Sequence, residues 1–299
     1  MSSPEVSFVI GTFNSEDHIE ACLESVYAQK YNGDFEVIVV DNDSDDSTVD
    51  IVRENFPEVK LIILPHSNYG LCEMYNIGFS SAEGEFIAKL DDDVEVDENW
   101  ITTILEEFES EDIGAVNPKI RERDGSVLFD EKGFAQHYKG CSAVFTREMF
   151  EDIGYFDEDF FIAREDHEFS YRLISNDYSI KNAPEALTIH KSDNIPSSSN
   201  FSERWFRYNT RNLLWITWKY HDSYNAFWNT LWRSSRRFLI AVKKGVLWSW
   251  IMATFQAIRR FPKYGIKERN PDSSLEYEYR RWTLKEIVNS LKNLKNHII

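Results

Sequence analysis

Cysteine is scarce in this 299-residue chain: Cys22, Cys72 and Cys141 stand far apart and form no C-x-x-C pair. That spacing excludes a disulfide framework and a zinc knuckle. No G-x-G-x-x-G turn follows the first apolar run, which removes the dinucleotide-binding signature. No apolar stretch reaches the about 20 residues that cross a bilayer. The longest, Val246–Ile258, has thirteen and is bracketed by Lys243, Lys244, Arg259 and Arg260. The opening Met-Ser-Ser-Pro-Glu offers neither a basic region nor an apolar run, so no signal peptide is expected and the setting reads as reducing and intracellular.

Positive charge is also short, with 33 Lys+Arg against 51 Asp+Glu and a net charge of −18. The deficit is uneven: residues 1–200 carry 14 basic and 44 acidic side chains, residues 201–299 carry 19 and 7. An acidic body of this kind repels nucleic acid, so no nucleic-acid partner is expected. It is also the composition of a protein that works in high salt, where self-repulsion is screened, the alternative being an ordinary acidic cytosolic protein. The 42% of apolar residues excludes general disorder.

Short apolar runs alternate with helical spacing at the start of the chain. Val6–Ile10, Phe35–Val40, Val59–Leu64 and Phe86–Leu90 read as strands, with helices over His18–Gln29, Ser47–Asn55 and Leu71–Ser81 between them. That alternation predicts an α/β fold with a mostly parallel sheet covered on both faces. A helix over Glu98–Ser110 and a strand over Ile113–Asn117 follow, then charged loop or hairpin from Lys119 to Lys139. Ser142–Thr146 and Ala186–His190 read as strands, Arg147–Ile153 and Glu165–Ser175 as helices.

Ile195–Asn200 reads as a linker and lies where the charge changes sign, dividing the chain into domains 1–200 and 201–299. Helices are predicted over Glu203–Tyr220, Tyr224–Phe261 and Leu275–Leu294. Eight of the nine tryptophans lie in this basic third, which fits amphipathic helices resting in a membrane interface. The alternative is that these tryptophans pack as ordinary core.

In an open α/β sheet ligands sit beyond the carboxyl ends of the strands. Thr12 and Asn14 follow the first strand, Asp41 the second, and Asp91, Asp92 and Asp93 the fourth. Three adjacent carboxylates repel one another, and a hard divalent cation such as Mg²⁺ or Mn²⁺ relieves the repulsion. On an extended segment Asp91 and Asp93 would share a face. Asp41 either accepts hydrogen bonds from a nucleoside or closes an Asx turn. Asp45 and Ser47 read as caps of the next helix. Glu165 and Asp166 open a helix, where acids are favoured by the dipole and where a carboxylate facing the cleft can take a proton. His190 ends a strand and is a candidate further metal ligand.

This ordered set resembles the family 2 glycosyltransferases of GT-A fold, in their rhamnosyltransferase-like branch. The likeness spans about residues 5–215 and rests on VSFVIGTFN at Val6–Asn14, EVIVVDNDSDDST at Glu36–Thr48, Asn68, Gly70, Asn76 and Gly78, LDDDV at Leu90–Val94, and GYFDEDFFIAREDHEFSYR at Gly154–Arg172. His190 and Arg211-Asn212 fall at positions often present in that branch. Glu73 and Met74 stand where relatives often have small residues, and His167 replaces a usual apolar residue.

The resemblance implies a GT-A catalytic domain at 1–200 with Asp41 on the nucleoside and Thr12, Asn14 and Asn68 nearby. Asp93 would contact the metal on the diphosphate, Asp91 would reach ribose or metal beside Asp92, and His190 would complete the metal site. Asp166 would be the catalytic base, with Glu165 supporting it or contacting acceptor. The implied donor is a nucleotide-diphosphate sugar, first of all a UDP-sugar, with Mn²⁺ or Mg²⁺ as cofactor. With the basic tail, the expectation is an inverting transferase acting on a lipid-linked glycan at the cytoplasmic face of the cell membrane. A sugar-nucleotidyltransferase would want a basic, glycine-rich loop after its first strand, and Gly11–Asn14 holds no basic residue. A non-catalytic membrane scaffold would need neither acid cluster. A transferase acting on a soluble or polysaccharide acceptor is the other alternative.

Overall fold

The structure, a computed structural model, describes residues 3–191 and 202–271. The expected linker at 195–200 and the helix expected over 275–294 lie outside the described residues. Two compact units are present, Met1–Phe201 and Ser202–Ile299.

The first unit opens with β1 (Val6–Thr12), α1 (Ile19–Tyr27), β2 (Phe35–Asp41), α2 (Thr48–Asn55), β3 (Lys60–Ile63), α3 (Leu71–Ser81) and β4 (Phe86–Asp91). Every residue of β1 is buried, which is why its run is continuous rather than alternating. Then come β5 (Val94–Val96), α4 (Trp100–Leu105), β6 (Ile113–Arg121), β7 (Val127–Leu128), β8 (Gly133–Ala135), β9 (Ser142–Thr146), α5 (Arg147–Ile153), α6 (Glu165–Ile174) and β10 (Ser179–His190). α4 is shorter than expected, ending at Leu105 rather than Ser110. β10 is longer than expected, because Pro184 sits in a register shift between Ala183 and Leu187 that hides its first half from the sequence pattern.

The strands lie in the order β3-β2-β1-β4-β9-β6-β10-β5. β3, β2, β1 and β4 are mutually parallel, as the alternation predicts. Beyond β4 the sheet is mixed: β9 runs antiparallel to β4 and β6, and β5 antiparallel to β10. An apolar run marks a buried strand without giving its direction, so this half was not readable as mixed.

One face of the sheet packs Phe8, Ile10, Val37 and Val39 against Leu23, Val26, Val52, Trp100 and Ile104 from α1, α2 and α4. Trp100 is fully buried and its Nε1 donates to Thr188 Oγ1 at 2.9 Å. The other face holds an aromatic cluster of Phe79, Tyr138, Phe145, Phe150, Phe156 and Phe169 with ring centroids 4.9–6.3 Å apart in the contacting pairs. Each such ring contributes about 1.5–3 kcal/mol by leaving water.

The described part of the second unit is helical: α7 (Glu203–Tyr220), α8 (Ser223–Lys244), α9 (Leu247–Arg259) and a wide π-type turn at Pro262–Lys267. The single helix expected over 224–261 is two, because Gly245 takes the left-handed φ of +71° that ends α8. Asp222 caps α8 by accepting from the Tyr224 and Asn225 amides. Trp215 is core, stacked on Tyr264 at 4.7 Å, whereas Trp248 is 69% exposed. No helix of the described residues is long and apolar enough to cross a membrane.

Candidate active site

Register sets the site. Thr12 pairs with Asp41 and Gly11 with Asp91, so β1, β2 and β4 end on one rim. Asp41 is fully buried and closes a turn, its carboxylate accepting from Ser44 N at 3.0 Å and Ser44 Oγ at 2.5 Å. Asn14, at φ +51°, exchanges hydrogen bonds with Asp45 (2.8 and 2.9 Å) and so staples the first rim loop to the second. The cap expected from Asp45 and Ser47 comes instead from Asp46, which accepts from the Thr48 amide and hydroxyl. Asn68 is exposed on the loop before α3.

The three aspartates diverge. β4 ends at Asp91 and the chain turns through Asp92 and Asp93 before β5, so the expected extended segment with Asp91 and Asp93 on one face does not form. Asp91 Oδ1 accepts from Lys89 Nζ and from the Tyr75 hydroxyl, both at 2.7 Å. Asp92 Oδ2 accepts from the Phe13 amide at 3.2 Å. Burial pushes the Asp92 carboxyl up to about 7, the Thr12 hydroxyl and Phe13 amide opposing and the charges of Asp93 and Asp91 adding. Asp93 is buried, and its Oδ1 lies 3.4 Å from His190 Nε2. They meet because β5 pairs with β10, setting Val94 opposite His190.

Asp93 and His190 fit a divalent cation. His190 Nε2 is buried without a hydrogen bond, while Nδ1 is 2.6 Å from Glu122 Oε2 at the far end of β6. A carboxylate on Nδ1 fixes the ring and leaves Nε2 as the donor atom, the usual arrangement behind a metal-bound imidazole. Two neighbouring donors plus substrate phosphate is the way Mg²⁺ and Mn²⁺ are commonly held. Among the described residues no group of three or more His, Cys, Asp or Glu forms a complete cage. Without a cation, burial works against the imidazolium, but Asp93 and Glu122 outweigh it and raise His190 to about 9.

Glu165 and Asp166 begin α6 after three residues of positive φ: Phe161 at 61°, Ala163 at 70° and Arg164 at 69°. Such a run in non-glycine residues is costly, and it delivers both carboxylates together at the helix start. A Cβ added at Gly140 would lie 3.6 Å from Glu165 Oε1 and 3.9 Å from Asp166 Oδ2, so the Gly140 backbone backs the pair. Burial pushes Glu165 up to about 7, the Asp166 charge adding and Lys89 opposing. Burial works the same way on Asp166, but His167 overrides it and holds Asp166 below the usual carboxylate range. The His167 amide and Nδ1 lie 2.8 and 2.7 Å from Asp166 Oδ1.

The sequence pattern singled out the rim acids and the Glu-Asp pair but not Lys89, Tyr75 or Glu122. Lys89 was detectable as a lone charge inside an apolar strand run. Glu122 looked like any acid in a charged stretch.

A family model described as Glycosyl transferase family 2 matches residues 7–168. The poly-beta-1,6-N-acetyl-D-glucosamine synthase of Staphylococcus epidermidis is 28% identical over 207 residues, covering 61% of this chain and 48% of that protein. The chain thus spans about half the length of such relatives. S. aureus TarS 1–349 in complex with UDP-GlcNAc has a TM-score of 0.63 at 20% identity, over 88% of this chain and 83% of that one. The mannosyltransferase PcManGT from Pyrobaculum calidifontis, in complex with GDP-Man and Mn²⁺, has a TM-score of 0.60 at 19% identity, over 100% and 82%. Likeness at these identities establishes the fold. With its sheet order, its acidic rim and more than half its length matched, the chain belongs to glycosyl transferase family 2 and has the GT-A fold.

Proposed function

We propose that the chain transfers a sugar, with inversion, from a nucleotide-diphosphate sugar to a glycan carried on a polyprenyl phosphate at the cytoplasmic face of the membrane. The observation that carries this reading is the shared rim, with Asp41, Asp91 and Asp92 beside an Asp93–His190 pair on one side and Glu165-Asp166 behind Gly140 on the other. A UDP-sugar is the donor of choice, since TarS was solved with UDP-GlcNAc.

Asp91 would orient the nucleoside, and Asp41, buried and closed on Ser44, would act on it through the rim loop that it shapes. Asp93 and His190 would hold Mn²⁺ or Mg²⁺, which when bound offsets the charge of the departing diphosphate. Asp166, kept ionised by His167, takes the acceptor hydroxyl proton as the oxygen bonds to the anomeric carbon. The bond to the diphosphate breaks and the electron pair leaves with it, so one displacement inverts the centre. Glu165 beside it would contact acceptor or support the base.

Helices α8 and α9 point to the acceptor class. Tyr224, Phe227, Leu231, Phe238 and Val242 are exposed at helical spacing on α8, and Trp248, Ile251, Phe255 and Ile258 on α9. Exposed apolar stripes beside Lys243, Lys244, Arg259 and Arg260 match helices that lie in an anionic lipid interface. A growing polysaccharide as acceptor is favoured by the likeness to poly-beta-1,6-N-acetyl-D-glucosamine synthase. The test is a panel of UDP-, GDP- and dTDP-sugars with Mn²⁺, with lipid extract and with soluble glycan. Transfer into the lipid fraction is expected; transfer only to soluble glycan overturns the acceptor, and no transfer from any donor overturns the activity.

A further inference from the structure

Lys89 is a lysine in the middle of a buried strand, 1% exposed, and the reaction as derived gives it no task. Burying an ammonium is costly unless it is paired and hydrogen-bonded. Here it is held three ways. Its Nζ donates to Asp91 Oδ1 at 2.7 Å, donates to the Gly140 carbonyl oxygen, and lies 3.9 Å from the centre of the Tyr75 ring. Tyr75 is itself buried, and its hydroxyl oxygen lies 2.7 Å from the same Asp91 Oδ1 and 2.8 Å from the Leu90 carbonyl oxygen, its one proton facing the charged Asp91 oxygen. Both donors converge on one oxygen of Asp91, leaving Oδ2 for a ligand.

The two partners of Lys89 belong to opposite sides of the site. Asp91 stands on the donor rim beside Asp92 and Asp93. Gly140 backs the Glu165-Asp166 pair. One ammonium therefore joins the wall that receives the nucleotide to the wall that receives the acceptor. It also offsets the charge nearest the other carboxylates, and its field acts on Glu165 as well.

We propose that Lys89 is a positioning residue of this active site: it aims the Asp91 carboxylate at the nucleotide and ties that carboxylate to the Gly140 backbone behind the catalytic acids. The inference rests on the nucleotide-sugar reading above. Losing the ammonium leaves the Asp91 charge uncompensated and its carboxylate held by Tyr75 alone, and unties the Gly140 carbonyl. A purely structural lysine would change the thermal midpoint alone; a positioning lysine also changes nucleotide affinity in the folded protein.

The test is calorimetric titration of the full chain with UDP, GDP and dTDP in MnCl₂, continued with whichever nucleotide the native protein binds. Lys89→Met and Asp91→Asn are each expected to weaken that affinity by roughly 10–100-fold. The double variant should be no weaker than the weaker single, because both changes remove one shared contact. Its thermal midpoint should recover relative to Lys89→Met, since no unpaired carboxylate remains. Native-like affinity in folded Lys89→Met, or losses that multiply in the double variant, overturns the role of Lys89 and leaves the glycosyl-transfer reading standing. A native protein that binds none of the three nucleotides overturns both. If Lys89→Met does not fold, Lys89→Gln, which keeps a donor for Gly140 without the charge, carries the same test: a roughly 10–100-fold loss supports the role and native affinity overturns it.

Discussion

Glu165 and Asp166 are neighbours in the chain whose carboxyls are pushed in opposite directions, Glu165 up by burial and Asp166 down by His167. The pair titrates as a unit, and the folded state binds a proton at Glu165 more tightly than the unfolded chain does. Stability should therefore fall as pH rises from about 4.5 to about 7 at this position. Glu165→Gln removes that dependence, so the stability difference between the two proteins should shift steadily in favour of the variant as pH rises across the window, read from urea unfolding at a series of pH values. Parallel curves for the two proteins would contradict the assigned burial. At this scale the sequence made the acids visible because each ends an apolar run or opens a helix. It hid what each acid touches. Asp91 was grouped with Asp93 by alternation, but the turn at Asp92–Asp93 sends one to Lys89 and Tyr75 and the other to His190. Glu122 reaches His190 across 68 positions of sequence, a pairing made by strand order alone.

Among the elements, the join between α3 and the loop before α6 fixes the segment that leads into Glu165-Asp166. Gly70 precedes α3, and a Cβ there would sit 2.8 Å from the Phe161 carbonyl oxygen and 2.9 Å from its Cα. The Leu71 amide donates to that same carbonyl at 2.6 Å. The backbones touch, so only glycine fits. Gly70→Ala should destabilise by about 1–3 kcal/mol, the range of an overpacked contact, measured as a shift in the urea midpoint. An unchanged midpoint would mean the loop yields freely and does not hold Glu165-Asp166 in place. Asn14 and Asn76, both visible in the sequence, act as fasteners through paired side-chain bonds, Asn14 joining two rim loops and Asn76 joining α3 to the backbone of Phe156. The strands and helices up to β4 were readable because apolar runs alternate regularly with helical spacing, even where the strand is as short and open as β3. β7 and β8 were not, being two and three residues long in a charged stretch.

For the whole molecule, the sign change in charge near residue 200 falls beside the division between the two compact units. An acidic first unit is repelled by an anionic bilayer, so attachment would rest on the basic, aromatic second unit. Trp248 and Phe255 are 69% and 60% exposed on α9. Replacing both by serine should lower partition onto anionic vesicles by at least about tenfold, since each ring leaving lipid forfeits about 1.5–3 kcal/mol. Unchanged co-sedimentation would remove the membrane from the account. The helices of the described part of this third were legible; that Trp215 is core and Trp248 surface was not, because tryptophan marks both burial and interface.

The claim under all of this is that Asp93 and His190 present a divalent cation to a nucleotide diphosphate at the rim of the sheet. Nucleotide release from the donor that the native protein uses, measured against Mn²⁺ concentration for native protein and Asp93→Ala, tests it most directly. Release by the native protein should depend on Mn²⁺, and the variant, its fold retained, should lose roughly 100-fold or more. Equal release by the two proteins, or release indifferent to Mn²⁺, would contradict it.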